Sequence, residues 1–305
     1  ADGLYAFDDL PLSFGANEFV LVFNGPLGQM RSERRSFLLD QSIVKPGEFL
    51  YALTQHEADQ GGSRSVGRFD FGLAKSVAGS AAFIRMPLHQ TGPERTYSQL
   101  GLRGYWNAMI LTSELTTAHS GGSLAELGLK TRLGSYAVDW LHTQVHGAFD
   151  SDAFAASGNP LRRRDKLRVV GAVTLPGTQR KLPMALDAQR DVLQSGATSD
   201  TVSGRLSATL AGTAITNGLN WQHTTGAPAT LGGNLQLSRR VTDMGLSAQL
   251  GYSLKPDARV DSMALSADRS FNDRNRINFG VLRSFSGSPL TQVTLGASRR
   301  FDAFS

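Results

Sequence analysis

Apolar and polar residues alternate along most of this chain. From about residue 47 onward, segments of roughly ten alternating residues are separated by stretches rich in Gly, Pro, Asn, Asp and Ser. Alternation with a period of two predicts half-buried β-strands, whereas a helix repeats its apolar positions every three to four residues. No segment keeps that helical spacing over three turns, so the pattern predicts an all-β protein.

Sixteen strands are predicted from this alternation. They cover residues 47–56, 66–75, 79–88, 95–104, 108–118, 122–133, 135–147, 166–175, 181–192, 201–211, 214–223, 230–240, 244–254, 260–271, 275–285 and 290–301. Strands that cross a bilayer at a tilt need about 9 to 11 residues, which matches these lengths. Tight connections such as "GYWN" alternate with longer polar ones, as the periplasmic turns and outer loops of an outer-membrane barrel do.

The two faces of these strands differ in polarity. One face is almost entirely apolar, and the other carries charged side chains of both signs. The residues predicted to line a lumen on this second face are Arg68, Arg85, Arg103, Glu114, Glu126, Lys130, Arg132, Asp139, Lys166, Arg168, Asp187, Arg205, Arg240, Asp268 and Arg276. A soluble barrel turns its apolar face inward, yet sixteen strands enclose more space than such side chains fill.

The contrast between the faces therefore favours a transmembrane antiparallel up-and-down β-barrel of about 16 strands over residues 47–301. A soluble β-sandwich, propeller or solenoid is the alternative. An even number of strands places both termini on one side of the membrane, and the tight turns assign that side to the periplasm of a Gram-negative cell. The last strand is expected to pair with the first and close the cylinder.

Composition agrees with this interpretation. Hydrophobic residues make up 40% of the chain, cysteine is absent, and the net charge is +5. The longest basic run is Arg162, Arg163 and Arg164, whereas a nucleic-acid site would show a denser basic stripe with interleaved aromatic residues. The expected partners are outer-membrane lipid, lipopolysaccharide and the outer-membrane assembly machinery, and nucleic acid is not expected.

Catalytic chemistry is not predicted. A hydrolase site needs Ser, His and an acidic or amide residue within hydrogen-bond reach. Ser113 and His142 come nearest to this pattern, but both are predicted to face lipid. No metal-ligand spacing or phosphate-binding glycine loop occurs in the sequence, so the chain is expected to be neither an enzyme nor a cofactor-binding protein.

Two features of the predicted lumen leave alternatives open. Charged residues on the fifth to eighth strands form a cross-strand ladder, which either shapes the electric field that a solute meets or only neutralises the wall. The excess of basic over acidic residues suggests anionic cargo. The loop 147–165, which ends in Arg162 to Arg164, either folds inward as a constriction or lies at the surface and binds lipopolysaccharide phosphates.

The first 46 residues depart from the alternating pattern and are predicted to form a β-hairpin. The segment beginning "FDDLPLSFGANEFVLVFNGPLGQ" and ending with "KPGEFLYAL" resembles the segment that leads into the barrel of fimbrial usher-type outer-membrane proteins. The resemblance covers about fifty residues. It implies a short periplasmic element, or the end of an upstream domain, in front of an export barrel.

Ushers have a larger barrel with twenty-four strands and a plug domain inserted between barrel strands, whereas this chain has room for about sixteen. The expected function is an outer-membrane channel that exports or secretes a polymer or fibre, either usher-like or of the exopolysaccharide-porin type. The alternatives are a passive diffusion porin and a structural barrel that anchors other domains. In the last strand, Gly296 and Phe301 resemble the C-terminal insertion signal of outer-membrane proteins, with residues 302–305 as a tail and Phe304 as the alternative aromatic.

Overall fold

The computed structural model describes residues 15–24, 30–39, 44–57, 63–88, 92–106, 109–151, 154, 159–174, 177, 181–271, 275–287 and 289–299. All regular elements in these ranges are β-strands. No helix that could span a membrane is present among the described residues. Phe301, Phe304 and residues 302–305 lie outside these ranges.

Eighteen strands form two sheets. Strands β1 (Gly15–Asn24) and β2 (Met30–Leu39) pair with each other as an antiparallel hairpin. The other strands are β3 Phe49–His56, β4 Arg64–Ala74, β5 Val77–Pro87, β6 Glu94–Trp106, β7 Met109–Ala118, β8 Ser123–Leu133, β9 Tyr136–His146, β10 Leu161–Thr174, β11 Lys181–Leu193, β12 Thr198–Leu210, β13 Thr213–Thr224, β14 Thr230–Val241, β15 Met244–Lys255, β16 Arg259–Ser270, β17 Asn275–Ser284 and β18 Leu290–Arg299.

Strands β3 to β18 make one sheet of sixteen, in which every strand pairs with its neighbours in sequence. This up-and-down antiparallel order confirms the predicted all-β class, the strand number and the topology. Tight turns and longer connections alternate along it, so the sheet has a tight-turn end and a loop end. β3 runs from the tight-turn end towards the loop end, and β18 runs back.

The start of β10 differs from its prediction. The sequence predicts a loop up to residue 165, but β10 begins at Leu161, so Arg162, Arg163 and Arg164 belong to a strand. The stretch "LRRRD" lacks alternating apolar residues, which hid the strand from a hydrophobicity pattern. Two of its arginines form ion pairs, Arg163 with Asp165 of the same strand and Arg164 with Asp191 of β11, both at 2.7 Å.

The strand register separates the sixteen-stranded sheet into two faces. One face, here called the apolar face, holds residues such as Leu100, Leu115, Leu250 and Leu295. Each of them lies opposite another apolar residue on a neighbouring strand. The opposite face, here called the polar face, holds most of the charged residues. Apolar-face side chains are strongly exposed, with 63% of Leu100 and 76% of Leu295 accessible. The sheet is thus the inverse of a soluble β-barrel, whose apolar side chains are covered.

The sheet is open in this structure. β3 pairs only with β4 and β18 only with β17, so the predicted pairing of the last strand with the first is not formed among the described residues. All of β3 is exposed, including Leu50 on the polar face and Leu53 on the apolar face. β3 is an edge strand, and this accounts for its exposure, because no neighbouring strand covers its outer side.

Candidate functional site: the polar face

The register places every predicted lumen residue except Arg85 on the polar face. These residues are not spread evenly around the sheet. Most lie on β4 to β11, which we call the charged half, whereas β12 to β18, the uncharged half, contribute only Arg205, Arg240, Asp268 and Arg276. The polar face therefore consists of two regions of different chemistry.

Arg85 lies on the apolar face, contrary to the prediction. It is paired with Ser65 and Thr96, in the same phase as Phe83 and Leu100. Its guanidinium donates a hydrogen bond to Glu94, the first residue of β6, and both side chains are about half exposed. The sequence suggested the opposite phase because Ile84 and Met86, which occupy the polar face here, are apolar.

Ion pairs hold several of the charged side chains of the charged half. Each pair joins side chains on the same strand or on neighbouring strands, at a distance within salt-bridge range. The pairs are Arg68–Asp70 at 2.9 Å, Lys130–Asp139 at 3.4 Å, Arg164–Asp191 at 2.7 Å and Arg168–Asp187 at 3.6 Å. Mutual neutralisation of this kind lowers the net field that the wall presents to a solute.

Glu114 and Glu126 face each other across β7 and β8. The Gln99 amide donates a hydrogen bond to Glu114, and the Thr143 hydroxyl donates to Glu126 at 3.0 Å. Two carboxylates in direct cross-strand positions repel each other when both are ionised. The hydrogen-bond donors offset part of that repulsion, so this spot is an acidic patch within a wall that is otherwise mostly basic.

The first described residues of the connection between β9 and β10, 147–151, fold onto the polar face. The Arg95 guanidinium donates hydrogen bonds to the Asp150 carboxylate at 2.9 to 3.1 Å, and the Tyr97 hydroxyl donates to the Asp150 backbone carbonyl at 2.9 Å. Asp150 is only 8% exposed and Phe149 only 6%. Gly122 allows this close approach, since its φ is +86° and an added Cβ would lie 2.7 Å from the His146 carbonyl oxygen.

Phe149 and Phe154 of this connection complete a small apolar core. The Phe149 ring packs at 5.8 Å from Tyr97 and at 6.5 Å from Phe154. The remaining members come from the wall of β5 to β10: Ile84, Met86, Ala118, Leu124, Val145 and Leu161. We call this group the loop core. It covers the loop end of the charged half, where the sequence left open whether the loop points inward.

The residues that anchor the loop core were missed from the sequence. Arg95 and Tyr97 lie on β6, whereas Phe149 and Asp150 lie in the connection after β9, so no local motif links the two segments. A signal was present, because Ile84, Met86 and Tyr97 are apolar or aromatic residues on a face that is otherwise polar. Apolar side chains on the polar face of a strand indicate that something covers them.

The polar face of the uncharged half is made mostly of hydroxyl, amide and glycine residues, to which Arg205, Arg240, Asp268, Arg276 and Leu282 are exceptions. The register places there Ser199, Thr201, Ser203, Ser207, Thr216, Asn220, Gln222, Asn234, Gln236, Ser247, Gln249, Ser262, Ser266, Asn278, Gln292 and Thr294. Arg276 pairs with Asp268 at 3.2 Å near the tight-turn end. Arg205 is exposed in the middle of this wall, in the same cross-strand row as Gly218 and Asn234. The neighbouring mid-strand residues of the row are uncharged.

A row of polar residues crosses the apolar face near the loop end. Consecutive cross-strand pairs join His142, Asp165, Arg190, Asp200 and His223 from β9 to β13. The His142 Nδ1 lies 2.6 Å from Asp165, and Arg190 lies 3.5 Å from Asp200.

The next row towards the tight-turn end is apolar, with a tryptophan at each end. It consists of Trp140, Leu167, Ala188, Val202 and Trp221. The Trp140 ring stacks on the His142 ring with their centroids 6.1 Å apart, and the Trp221 and His223 rings stack with centroids 6.2 Å apart. The change from an apolar to a charged row is therefore abrupt, as at a boundary between lipid and water.

Ser113 and His142 lie on different strands, β7 and β9. Both are partners of Leu127 on β8, so they lie two strands apart on the apolar face. Within the described ranges, no group of three or more His, Asp or Glu side chains is arranged to hold a metal ion.

Gly296, predicted as part of the insertion signal, lies on the polar face of β18 opposite Asn278. A Cβ at Gly296 would meet the Asn278 amide, so the glycine makes room for that side chain. Phe301, the other half of the predicted signal, lies outside the described residues.

No protein-family model and no curated protein matches this chain. Among solved structures, the translocation pore of the P pilus usher PapC is similar, with a TM-score of 0.56 and 12% identity over 97% of this chain. The chain spans 64% of the length of that usher pore. A bacterial polysaccharide outer membrane secretin gives a TM-score of 0.38 and 11% identity, covering 83% of this chain and 97% of the secretin. The first similarity shows that this chain shares the fold of an usher pore.

Proposed function

We propose that this chain forms a channel in the Gram-negative outer membrane through which a polymer is exported. The observation that carries the proposal is the inverted sheet: sixteen antiparallel strands with an exposed apolar face and a polar face rich in charges, hydroxyls and amides. A lipid-facing exterior and a polar interior are the two faces that a transmembrane β-barrel requires.

The apolar face supports a membrane location. Large side chains such as Phe69, Leu100, Leu115 and Leu246 form a continuous surface, which is far more extensive than the apolar patches that soluble monomers expose. The tryptophans Trp140 and Trp221 lie beside the charged row, where the amphipathic indole ring is favoured at a lipid boundary. The tight-turn end is assigned to the periplasm, together with both termini.

Two observations support polymer export over other uses of a barrel. The fold is shared with a translocation pore, and the segment before β3 resembles the one that precedes usher barrels. We assign no catalytic role to the chain. Its partners are proposed to be outer-membrane lipid with lipopolysaccharide, the assembly machinery that inserts barrels, and the exported polymer.

Single-channel recording in planar bilayers tests the proposal. The full chain is compared with a loop-release variant, Phe149→Ser with Asp150→Ala, which removes the apolar and ionic anchors of the loop core. We expect a small current from the parent chain and a larger, steady current from the loop-release variant. A large steady current from the parent chain identifies a diffusion porin instead. A closed trace from both proteins contradicts a channel and favours a structural anchor.

A further inference from the structure

The uncharged half of the polar face has a low and regular surface. The Asn234 amide lies over Gly218 of the neighbouring strand, where an added Cβ would be 2.5 Å from Asn234 Oδ1. Ser262 lies over Gly251 in the same way, with 2.6 Å from the added Cβ to its Oγ, and Asn278 lies over Gly296. Each glycine lets a polar side chain lie along the sheet, so donors and acceptors stay close to the wall.

The charged half does not offer an equivalent surface at its loop end. Phe149 and Asp150 cover that end of β5 to β10, and Arg164 lies over the Phe154 ring at 5.8 Å. Several of its basic side chains are held in ion pairs, among them Arg164–Asp191 and Arg168–Asp187. The basic excess of the sequence therefore does not define a continuous surface for an anionic chain.

Hydroxyl and amide side chains suit one kind of cargo. Each of these groups both donates and accepts hydrogen bonds, as the hydroxyls of a sugar do. Apart from Arg205, Arg240 and the Arg276–Asp268 pair, the polar-face groups of this wall carry no charge. A polyanion or polycation passing it would exchange water mostly for groups without countercharge, which is unfavourable. Passage also requires contacts that are weak and repeated along the path, and hydroxyls and amides in successive rows provide them.

We propose that the uncharged half, β12 to β18, is the path of a neutral, hydroxyl-rich polymer, that is, a glycan without charged groups. The proposal rests on the channel function above and names its substrate class. Ser207, Thr216, Gln236 and Gln249 form one row of contacts across four strands of this path, since they are consecutive cross-strand partners.

Current blockade by oligosaccharides tests the path. The probes are linear, neutral glucose oligomers and sulfated oligomers of the same length, added to the loop-release variant in a planar bilayer. We expect reversible blockades by the neutral oligomers and much shorter blockades by the sulfated ones. Longer blockades by the sulfated oligomers overturn the inference but leave the channel intact. A protein that never conducts overturns the channel proposal and the inference together.

A matched pair of variants locates the contact surface. Gln236→Leu with Gln249→Leu removes two amides from the uncharged half, and Gln189→Leu makes the same change on the polar face of the charged half. Each lost hydrogen bond is expected to shorten the neutral blockade by about two- to tenfold. Gln189→Leu is expected to leave it unchanged. An equal effect of both changes, or an effect of Gln189→Leu alone, contradicts the assignment of the path to β12 to β18.

Discussion

The charged half and the uncharged half of the polar face share one backbone architecture but differ in the side chains that make the wall polar. In the charged half, long side chains stand in ion pairs, and Tyr97 packs with Phe149 in a buried apolar core. In the uncharged half, short hydroxyls and amides lie over glycines such as Gly218 and Gly251. One half supports a folded loop, and the other leaves a shallow surface.

The difference shows that strand pairing and apolar-face chemistry do not determine the character of the polar face. Both halves keep the same alternation and both present leucines outward, for example Leu129 in β8 and Leu250 in β15. Side-chain length and glycine position decide whether the wall is filled or open. The difference between the two halves therefore depends on which polar residue occupies each polar-face position. The hydrophobic pattern does not distinguish these residues from one another.

The largest expected effect comes from breaking what the two halves share. Leu129→Arg in the charged half and Leu250→Arg in the uncharged half place a guanidinium on the apolar face near mid-strand. Arginine facing lipid at the bilayer midplane costs about 2–4 kcal/mol, so both variants are expected to lose membrane assembly. The measurement is the amount of heat-modifiable protein in the outer-membrane fraction.

Gln249→Arg is the control for these variants, because Gln249 precedes Leu250 and lies on the polar face. It is expected to assemble normally. Assembly of Leu250→Arg together with failure of Gln249→Arg would show that the two faces are exchanged. Failure of only one of the two leucine variants would mean that the halves do not share a lipid-facing surface.

Most of the fold was predictable because alternation records which face meets an apolar environment. The predicted strand 244–254 corresponds to β15, Met244–Lys255, and 122–133 corresponds to β8, Ser123–Leu133. The phase failed in β5, where Ile84 and Met86 are apolar for a reason that lies in another segment. They belong to the loop core together with Phe149, which lies more than 60 positions away in the sequence.

The candidate site was predictable only in part for the same reason. Charges within an alternating strand, such as Glu126 and Lys130, can be assigned to the polar face by counting from an apolar neighbour. The Arg95–Asp150 pair joins residues 55 positions apart, and no pattern in either segment indicates the other. The division into two halves depends on cross-strand register, which links residues that single strands do not relate.

The second prediction concerns pairing between the two edge strands of the sheet, β3 and β18. A closed barrel requires β18, at one edge of the uncharged half, to pair with β3, the edge strand next to the charged half, since an unpaired edge is excluded from lipid. The chain has no cysteine, so engineered disulfides report this pairing directly. We combine Leu53→Cys with Val293→Cys, Leu295→Cys or Ala297→Cys and expect one combination to cross-link almost completely in the membrane.

The three partners share the apolar face of β18, whereas Thr294 lies on the polar face. Leu53→Cys with Thr294→Cys is the control, because side chains on opposite faces cannot reach disulfide geometry. Cross-linking is read as a mobility shift that reducing agent reverses. Absence of a shift for all three combinations means that the edges do not pair with each other, and the two halves then form an open arc.

The third prediction breaks the charged half alone. Asp150→Ala leaves the Arg95 guanidinium, which is only partly exposed, without its carboxylate partner. Removing one member of such a pair is expected to cost about 1–3 kcal/mol, and most of that cost falls on the attachment of the loop. Limited proteolysis at residues 147–154 measures it, and cleavage is expected to accelerate while the strands remain protected.

Asp187→Ala is the matched control for Asp150→Ala. It removes a carboxylate from the same half but from the ion pair with Arg168, where Asp187 is 53% exposed. Exposed ion pairs contribute about 0–1 kcal/mol, so this variant is expected to leave the cleavage rate unchanged. Equal cleavage of the two variants would indicate that the loop is not held by the Arg95–Asp150 contact.

The fourth prediction concerns the uncharged half. At both Gly218 and Gly280 the backbone is compatible with alanine, and Gly→Ala in a strand is then expected to stabilise by about 0.5–1 kcal/mol. At Gly280 the nearest atom to an added Cβ is 3.9 Å away, so the gain is retained. At Gly218 the Asn234 amide must move, so the gain is lost. Urea unfolding of both variants in detergent measures the difference, and equal stabilisation would show that the amide is not held over the glycine.

The smallest effect is expected at a tight turn, where neither half contributes its polar face. Arg269 donates a hydrogen bond to Asp243 at 3.0 Å and thereby holds the pKa of this carboxyl below its ordinary value. A carboxyl with a lowered pKa in the folded state stabilises above its unfolded pKa of about 4, and the contribution disappears as the pH falls through the folded pKa.

The urea midpoint of Asp243→Asn is therefore expected to lie slightly below that of the parent chain at pH 7, and the difference is expected to shrink as the pH falls below about 4. Both side chains are substantially exposed, at 42% for Asp243 and 56% for Arg269, so solvent screens the pair and the difference is smaller than that of Asp150→Ala. Arg283→Gln serves as the control, since Arg283 lies near the loop end and packs over Phe285 at 5.2 Å. A difference at pH 7 that persists unchanged at pH 3 would assign the effect of Asp243→Asn to turn conformation, because only the ionised carboxylate gains from Arg269.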